Sequence, residues 1–190
     1  MSILIKPEDV VCHNVLAHAE THCPIDLKEA VKIFRNAEFD PSKFACVRIR
    51  YWSPACTVSI FANGKLQATG ARTVEDAKLA MKKAAYRLLT VGQNTKVRFT
   101  GFKAENILAT MDFGQPVNLL GLSRDKEIVC TYEPTRFSAV VVRDPTGSGV
   151  TIDVFSTGKV NIKGNGSVEN LCSVVTRIAH VIKRHFCETL

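Results

Sequence analysis

Residues 43–92 read KFACVRIRYWSPACTVSIFANGKLQATGARTVEDAKLAMKKAAYRLLTVG, and residues 136–186 read RFSAVVVRDPTGSGVTIDVFSTGKVNIKGNGSVENLCSVVTRIAHVIKRHF. Phe137 follows Phe44 by 93 residues, while Phe155 follows Phe61, and Gly164 follows Gly70, by 94. Matches at a nearly fixed offset are an internal repeat. Upstream, Asn14-Val15-Leu16-Ala17 is answered by Asn106-Ile107-Leu108-Ala109 at an offset of 92. The drift from 92 to 94 needs two single-residue insertions, one of them where Ser53-Pro54-Ala55 faces Pro145-Thr146-Gly147-Ser148. A Pro/Gly-rich turn tolerates insertion best. The chain therefore divides into a first repeat over residues 1–99 and a second over 100–190, together one domain.

Within each repeat the hydrophobic period is two and then changes to that of a helix. Ala45, Val47 and Ile49 alternate with Phe44, Cys46, Arg48 and Arg50. Val58/Ile60 likewise oppose Ser59/Phe61, and Leu66/Ala68 oppose Gln67/Thr69, as strands require. Asn63-Gly64 is a hairpin signal. Thr73 and Asp76 cap a helix to about Leu89, with Ala77, Ala80, Met81, Ala84, Ala85 and Leu88 as its inner stripe and Gly92 as its stop. In the second copy Val150, Ile152 and Val154 oppose Thr151, Asp153 and Phe155, and Val160 and Ile162 oppose Asn161 and Lys163. Leu171, Val174, Val175, Ile178, Ala179 and Ile182 stripe a last helix that starts at a Ser167 cap. Before the first copy, Val10 to Ala19 reads as a strand, and Asp26-Leu27-Lys28-Glu29 opens a helix expected to reach about Asn36.

Helix burial accounts for one side of every strand. It gives no reason for Phe44, Phe61, Phe137 and Phe155 to stand on the other side among Arg, Ser, Gln, Thr, Lys and Asn. One exposed Phe needs no explanation. Four at matched places in both repeats do.

Composition sets looser bounds. At 190 residues, 46% hydrophobic and with mean hydropathy near zero, the chain reads as an ordinary soluble globule. Seven scattered Cys, an odd number mostly in apolar surroundings, argue for reduced intracellular thiols rather than a disulfide frame. Neither a signal peptide nor a membrane-spanning apolar run is present, so no membrane partner is expected. The formal charge of +7 and pI near 9.1 point weakly to a polyanion. Cys12, His13, His18, His22 and Cys23 fit no zinc-finger spacing, and a strand would separate their faces, so no metal is expected. No Walker loop, H-E-x-x-H, G-x-S-x-G or paired-carboxylate motif occurs, so neither catalysis nor a cofactor is expected.

RNAEFDPSKFACV (35–47), SIFANGK (59–65), FTGFKAENILA (99–109), TYEPTRF (131–137) and VFSTGK (154–159) resemble the core motifs of the TATA-box-binding protein (TBP) family. The resemblance runs over roughly residues 10 to 187, and it fits a divergent TBP-related factor. It implies an α+β saddle: a curved antiparallel sheet of ten strands with helices on the convex face, DNA under the concave face and protein partners elsewhere. It also implies a nuclear initiation factor without enzymatic activity, with weak self-association through the concave face. TBP is itself an established case of minor-groove wedging, so the kink is carried by the resemblance and not by spacing.

By the same resemblance, Phe44 with Phe61 and Phe137 with Phe155 match the two wedge pairs. Asn14 and Asn106 match side chains that bond base edges near the dyad, and Leu16, Leu108 and Thr69 match groups lining the groove. Amide donors suit a minor groove whose A·T pairs present only acceptors. Arg50, Lys65, Arg72, Arg143 and Lys159 match phosphate-side positions. Lys78, Lys82 and Lys83, with Arg87 on the same face, match a helix that contacts a TFIIA-like factor. Glu133, Thr135 and Arg136 fall in the loop that contacts a TFIIB-like factor, the last two replacing an acidic and an apolar residue.

The departures concentrate on the groove face. Ser59 and Gln67 in the first repeat, and Asp153 and Asn161 in the second, stand where the family places valine or leucine. Lys163 replaces the second Thr, and Arg48 an apolar residue. A carboxylate at Asp153 opposes a polyanion unless Lys163 or Arg143 pairs with it. These substitutions lead us to expect weakened TATA discrimination. Two alternatives stay open: a TBP-fold protein scaffold with little DNA binding, and an accessory nucleic-acid-binding domain of an enzyme.

Overall fold

The computed structural model describes residues 4–91 and 96–187. Two compact units result, one of residues 14–105 and one of the residues before 14 and after 105. In chain order the elements are β1 (Val11–Glu20), α1 (Leu27–Ile33), β2 (Ala37–Glu38), β3 (Cys46–Trp52), β4 (Ala55–Phe61), β5 (Lys65–Ala71) and α2 (Val74–Thr90). There follow β6 (Thr100–Asp112), α3 (Leu119–Ser123), β7 (Val129–Thr131), β8 (Ala139–Arg143), β9 (Thr151–Phe155), β10 (Lys159–Gly164) and α4 (Val168–Arg184). The ten strands are antiparallel, in the order β2-β3-β4-β5-β1 in the first unit and β6-β10-β9-β8-β7 in the second.

Alternation decides which side of the strands is buried, except at the start of β3, where Cys46, expected on the side of Phe44 and Arg48, is buried and the preceding Ala45, expected on the side of Val47, is exposed. Val58, Ile60, Leu66 and Ala68 are fully buried, as are Val154, Val160 and Ile162. Every residue of the two expected helix stripes is buried beneath α2 or α4. Burying each Ile or Leu contributes about 1.5–3 kcal/mol, so a one-residue slip, which would expose the whole set, is strongly excluded. Thr73 Oγ1 accepts from the Asp76 N–H at 3.0 Å and Ser167 Oγ from the Asn170 N–H at 3.3 Å, so the two long helices start at equivalent caps. The expected stop at Gly92 lies outside the described residues.

Glycine is required at the tight turns of both copies. Gly64 and Gly158 have φ of 86° and 87°, and a Cβ would collide with the carbonyl oxygen of Cys23 at the first and of Gln115 at the second.

One helix is shorter than expected. α1 ends at Ile33, because Phe34 turns extended and the chain then pairs Ala37 with Ile49 and Glu38 with Arg48. The Arg87 side chain donates through Nε to the Ile33 carbonyl at 2.8 Å, satisfying an end carbonyl that a longer helix would have used internally.

The insertion-tolerant turn after β8 is locked by charge. Asp144, its side chain 1% exposed, meets the Arg177 guanidinium at 2.8 Å and accepts from the Thr146 hydroxyl at 2.6 Å. Burial pushes its pKa up, but hydrogen bonds from Ser148, Thr146 and Arg177 outweigh this and bring it down to about 2. A carboxyl lowered in this way stabilises the fold above its unfolded pKa of about 4, and the contribution disappears as pH falls through 2. Asp144→Asn is therefore expected to destabilise the protein by about 1–3 kcal/mol at pH 7. The deficit should shrink as pH falls from 4 to 2, which thermal unfolding of both chains across that range checks.

Candidate nucleic-acid interface

The face of each sheet turned away from the helices carries the candidate residues, in matched cross-strand rows. In the first unit Arg48 pairs in register with Ser59, Ser59 with Gln67, and Gln67 with His18. The neighbouring row runs Arg50, Thr57, Thr69. In the second unit Val141, Asp153, Asn161 and Thr110 form the equivalent row, and Arg143, Thr151, Lys163 and Leu108 the next. The repeat thus places Asp153 where the first unit has Ser59, Asn161 where it has Gln67 and Lys163 where it has Thr69.

The four Phe lie at the ends of these strands. Phe44 and Phe137, just before β3 and β8, are 44% and 42% exposed, while Phe61 and Phe155 close β4 and β9 half-buried. Each pair is held differently. Phe137 and Phe155 meet edge to face with ring centroids 5.9 Å apart. Phe44 instead lies under the Arg48 guanidinium, 4.5 Å from its centroid, and Arg48 reaches Glu38 at 3.8 Å. A depression of about 890 Å³ opens beside Phe155, with Val11, Thr110, Met111, Lys159 and Asn161 in its lining.

Asn14 is half-buried on β1, and its Oδ1 accepts from the Gly70 N–H at 2.7 Å, which fixes the amide orientation. Asn106 is exposed on β6. Leu16, Leu108 and Thr69 are half-buried on the same faces, and Arg50, Lys65, Arg72, Arg143 and Lys159 are all exposed.

Three carboxylate–base pairs stand on or beside these faces. Lys163 Nζ sits 2.7 Å from the Asp153 carboxylate, which is 2% exposed, so the pairing set as a condition for a carboxylate there is met. His18 Nε2 lies 2.5 Å from the Glu105 carboxylate, and Arg48 faces Glu38. His18, Glu105 and Thr110 were not singled out for this face. The signal was present for His18, because it continues the period-two series of Asn14 and Leu16. The cysteines and histidines around it do not converge. His13 bonds Thr110 at 2.7 Å, His22 bonds Thr100, and Cys23 is buried by Thr21.

The basic face of α2 is partly engaged by the chain itself. Lys83 donates to the Ser53 carbonyl at 2.9 Å, Arg87 to Ile33, and Lys78 lies 5.4 Å from the Phe102 ring centroid. Of the four cations, Lys82 alone has no such contact among the described residues. In the loop before β8, Arg136 meets Glu133 at 3.2 Å, and the Glu133 carbonyl accepts from the N–H groups of Arg136 and Phe137. That turn sets the position of Phe137, and Thr135 stays exposed.

Comparison with known proteins agrees with this architecture. The sequence matches the family described as Transcription factor TFIID (or TATA-binding protein, TBP) over residues 9–91 and 101–185. It is 33% identical over 177 residues to the TATA-box-binding protein-like 1 of Entamoeba histolytica, covering 92% of this chain and 80% of that protein. To the TATA-box-binding protein of Emericella nidulans it is 36% identical over 151 residues, covering 80% of this chain and 55% of the relative. The solved structure of Methanococcus jannaschii TBP superposes with a TM-score of 0.76 at 31% identity, over 93% of this chain and 99% of that one. With both repeats matched and the fold shared, this chain belongs to the TATA-binding protein family.

Proposed function

We propose that the protein is a divergent TBP-related initiation factor that binds duplex promoter DNA through the minor groove, bends it, and nucleates a pre-initiation complex in the nucleus. It acts by binding, not by catalysis. The observation that carries this reading is the placement of Phe44, Phe61, Phe137 and Phe155 at matched strand ends on the helix-free faces. Packing gives no reason for Phe there, whereas insertion between base steps needs exposed, apolar, rigid side chains. Arg50, Lys65, Arg72, Arg143 and Lys159 would supply phosphate contacts, and Asn14 and Asn106 base-edge contacts.

The reading makes the wedges testable. Replacing both Phe44 and Phe61 with Ala should reduce the DNA bend measured by fluorescence transfer, and should weaken affinity by roughly thirtyfold, the scale of one interface hot spot of about 2 kcal/mol. A double variant that bends DNA like the parent would sink wedging in the first repeat and favour the scaffold reading.

Partners are assigned to two places: a TFIIA-like factor to the α2 face, and a TFIIB-like factor to the loop of Glu133, Thr135 and Arg136. Because Lys83 and Arg87 hold neighbouring backbone, Lys82 is the clean probe. Lys82→Glu is expected to cut association with the TFIIA-like factor at least about tenfold, chiefly in on-rate, with the melting temperature unchanged.

Sequence choice should be weak. A mismatched pair costs about 1–3 kcal/mol where a site is read well, but Ser59, Gln67, Asp153, Asn161 and Lys163 replace the apolar floor that makes such fits. Competition at one salt concentration is expected to show less than about a hundredfold preference for TATA over scrambled duplex. A larger preference for the isolated chain would refute this part.

A further inference from the structure

The Asp153 side chain is buried, like that of Asp144, but on the face that the helices leave open. Its counterpart in the first unit is Ser59, and the counterpart of its partner Lys163 is Thr69. Both members of the pair are therefore confined to one repeat. They stand on adjacent strands, diagonal to each other, since Asp153 pairs in register with Asn161 and Lys163 with Thr151. Diagonal neighbours on an antiparallel pair lie within reach of a long side chain. The contact is 2.7 Å, and Lys163 keeps 43% of its side chain exposed.

A lysine at this row would otherwise be a flexible cation on a four-carbon stem, free to swing toward phosphate. Held by Asp153, its ammonium is neutralised within the protein and its stem is drawn diagonally toward the neighbouring row. A pair with no net charge releases no counterion from DNA. An ammonium has three N–H donors, so this one remains a donor to a nearby acceptor while losing its pull on the backbone.

We infer that Asp153 masks Lys163, converting it from a phosphate clamp into a short-range contact of the nucleic-acid face and holding down the electrostatic share of binding. The inference rests on the DNA-binding reading above and names a determinant of how that binding depends on salt. Arg143, in the same row, is exposed and stays a phosphate contact; the two cations of this row thus have different roles.

The test measures affinity of the whole chain for a short A·T-rich duplex between about 50 and 200 mM salt. Asp153→Asn should steepen the slope of log K against log salt by about 0.9, with binding about tenfold tighter at the low-salt end. The near-isosteric double variant, Asp153→Asn with Lys163→Gln, should return the slope to that of the parent. Circular dichroism of each variant guards against misfolding. An unchanged slope in the single variant overturns the inference, and so does a double variant with a shallower slope than the parent, because Lys163 would then already have been neutralising a phosphate. A parent that binds no duplex at any salt overturns the proposed function and this inference together, whereas equal slopes with a binding parent overturn the inference alone.

Discussion

The five strands of each unit have two sides, and the chain supplies long helices for only one of them. α2 and α4 cover the Val, Ile, Leu and Ala that alternate along the strands, and that contact fixes the register of every strand pair. Once the register is fixed, the identity of each residue on the other side is free of the demands of the core. Selection acting there sees a surface, held on rigid strands, with positions repeated at an offset near 94. Everything proposed about function depends on this division.

The division explains why similarity and divergence lie where they do. The buried stripes, the caps at Thr73 and Ser167, and the turn glycines Gly64 and Gly158 are equivalent in the two copies. The helix-free faces are not. Phe137 rests against Phe155, but Phe44 rests under Arg48; Ser59 and Thr69 are small and neutral, but Asp153 and Lys163 form an ion pair. Packing tolerates these differences because a side chain on the outward side changes no buried volume, apart from Asp153, whose burial is compensated by Lys163.

Much of the fold was legible in the sequence because period-two and period-3.6 patterns respond to burial, and burial is what holds the molecule together. The α2 stripe matches the buried residues one for one, the α4 stripe misses only Cys172 and Val181, and the strand faces around Val58, Leu66, Ile152 and Ile162 agree. What escaped depends on contacts between residues far apart in sequence. α1 stops at Ile33 because β3 captures Ala37 and Glu38, while Arg87, 54 residues away, takes the end carbonyl. The α2 cations read as a uniform basic face until Ser53, Ile33 and Phe102 are found beneath three of them. His18 was weighed as a metal ligand, since composition shows a Cys/His cluster but not that Glu105 and Gln67 are its neighbours.

Charge on the helix-free faces has a similar lesson for reading function from net charge. The formal +7 of the chain is a sum over all surfaces, but Arg48, His18 and Lys163 each face a carboxylate locally. Of the exposed cations that remain, Arg50 and Arg143 each stand opposite a threonine in their own units, while Lys65 pairs in register with Glu20 and Lys159 with Asp112. Within each unit, cations on the same face as neutral Ser, Thr, Gln and Asn suit a ligand whose charge lies along its edges and whose interior offers hydrogen-bond acceptors. A duplex approached through its minor groove has that arrangement, and a uniformly acidic protein surface does not. The local pattern of charge therefore favours the proposed ligand more strongly than the total charge does.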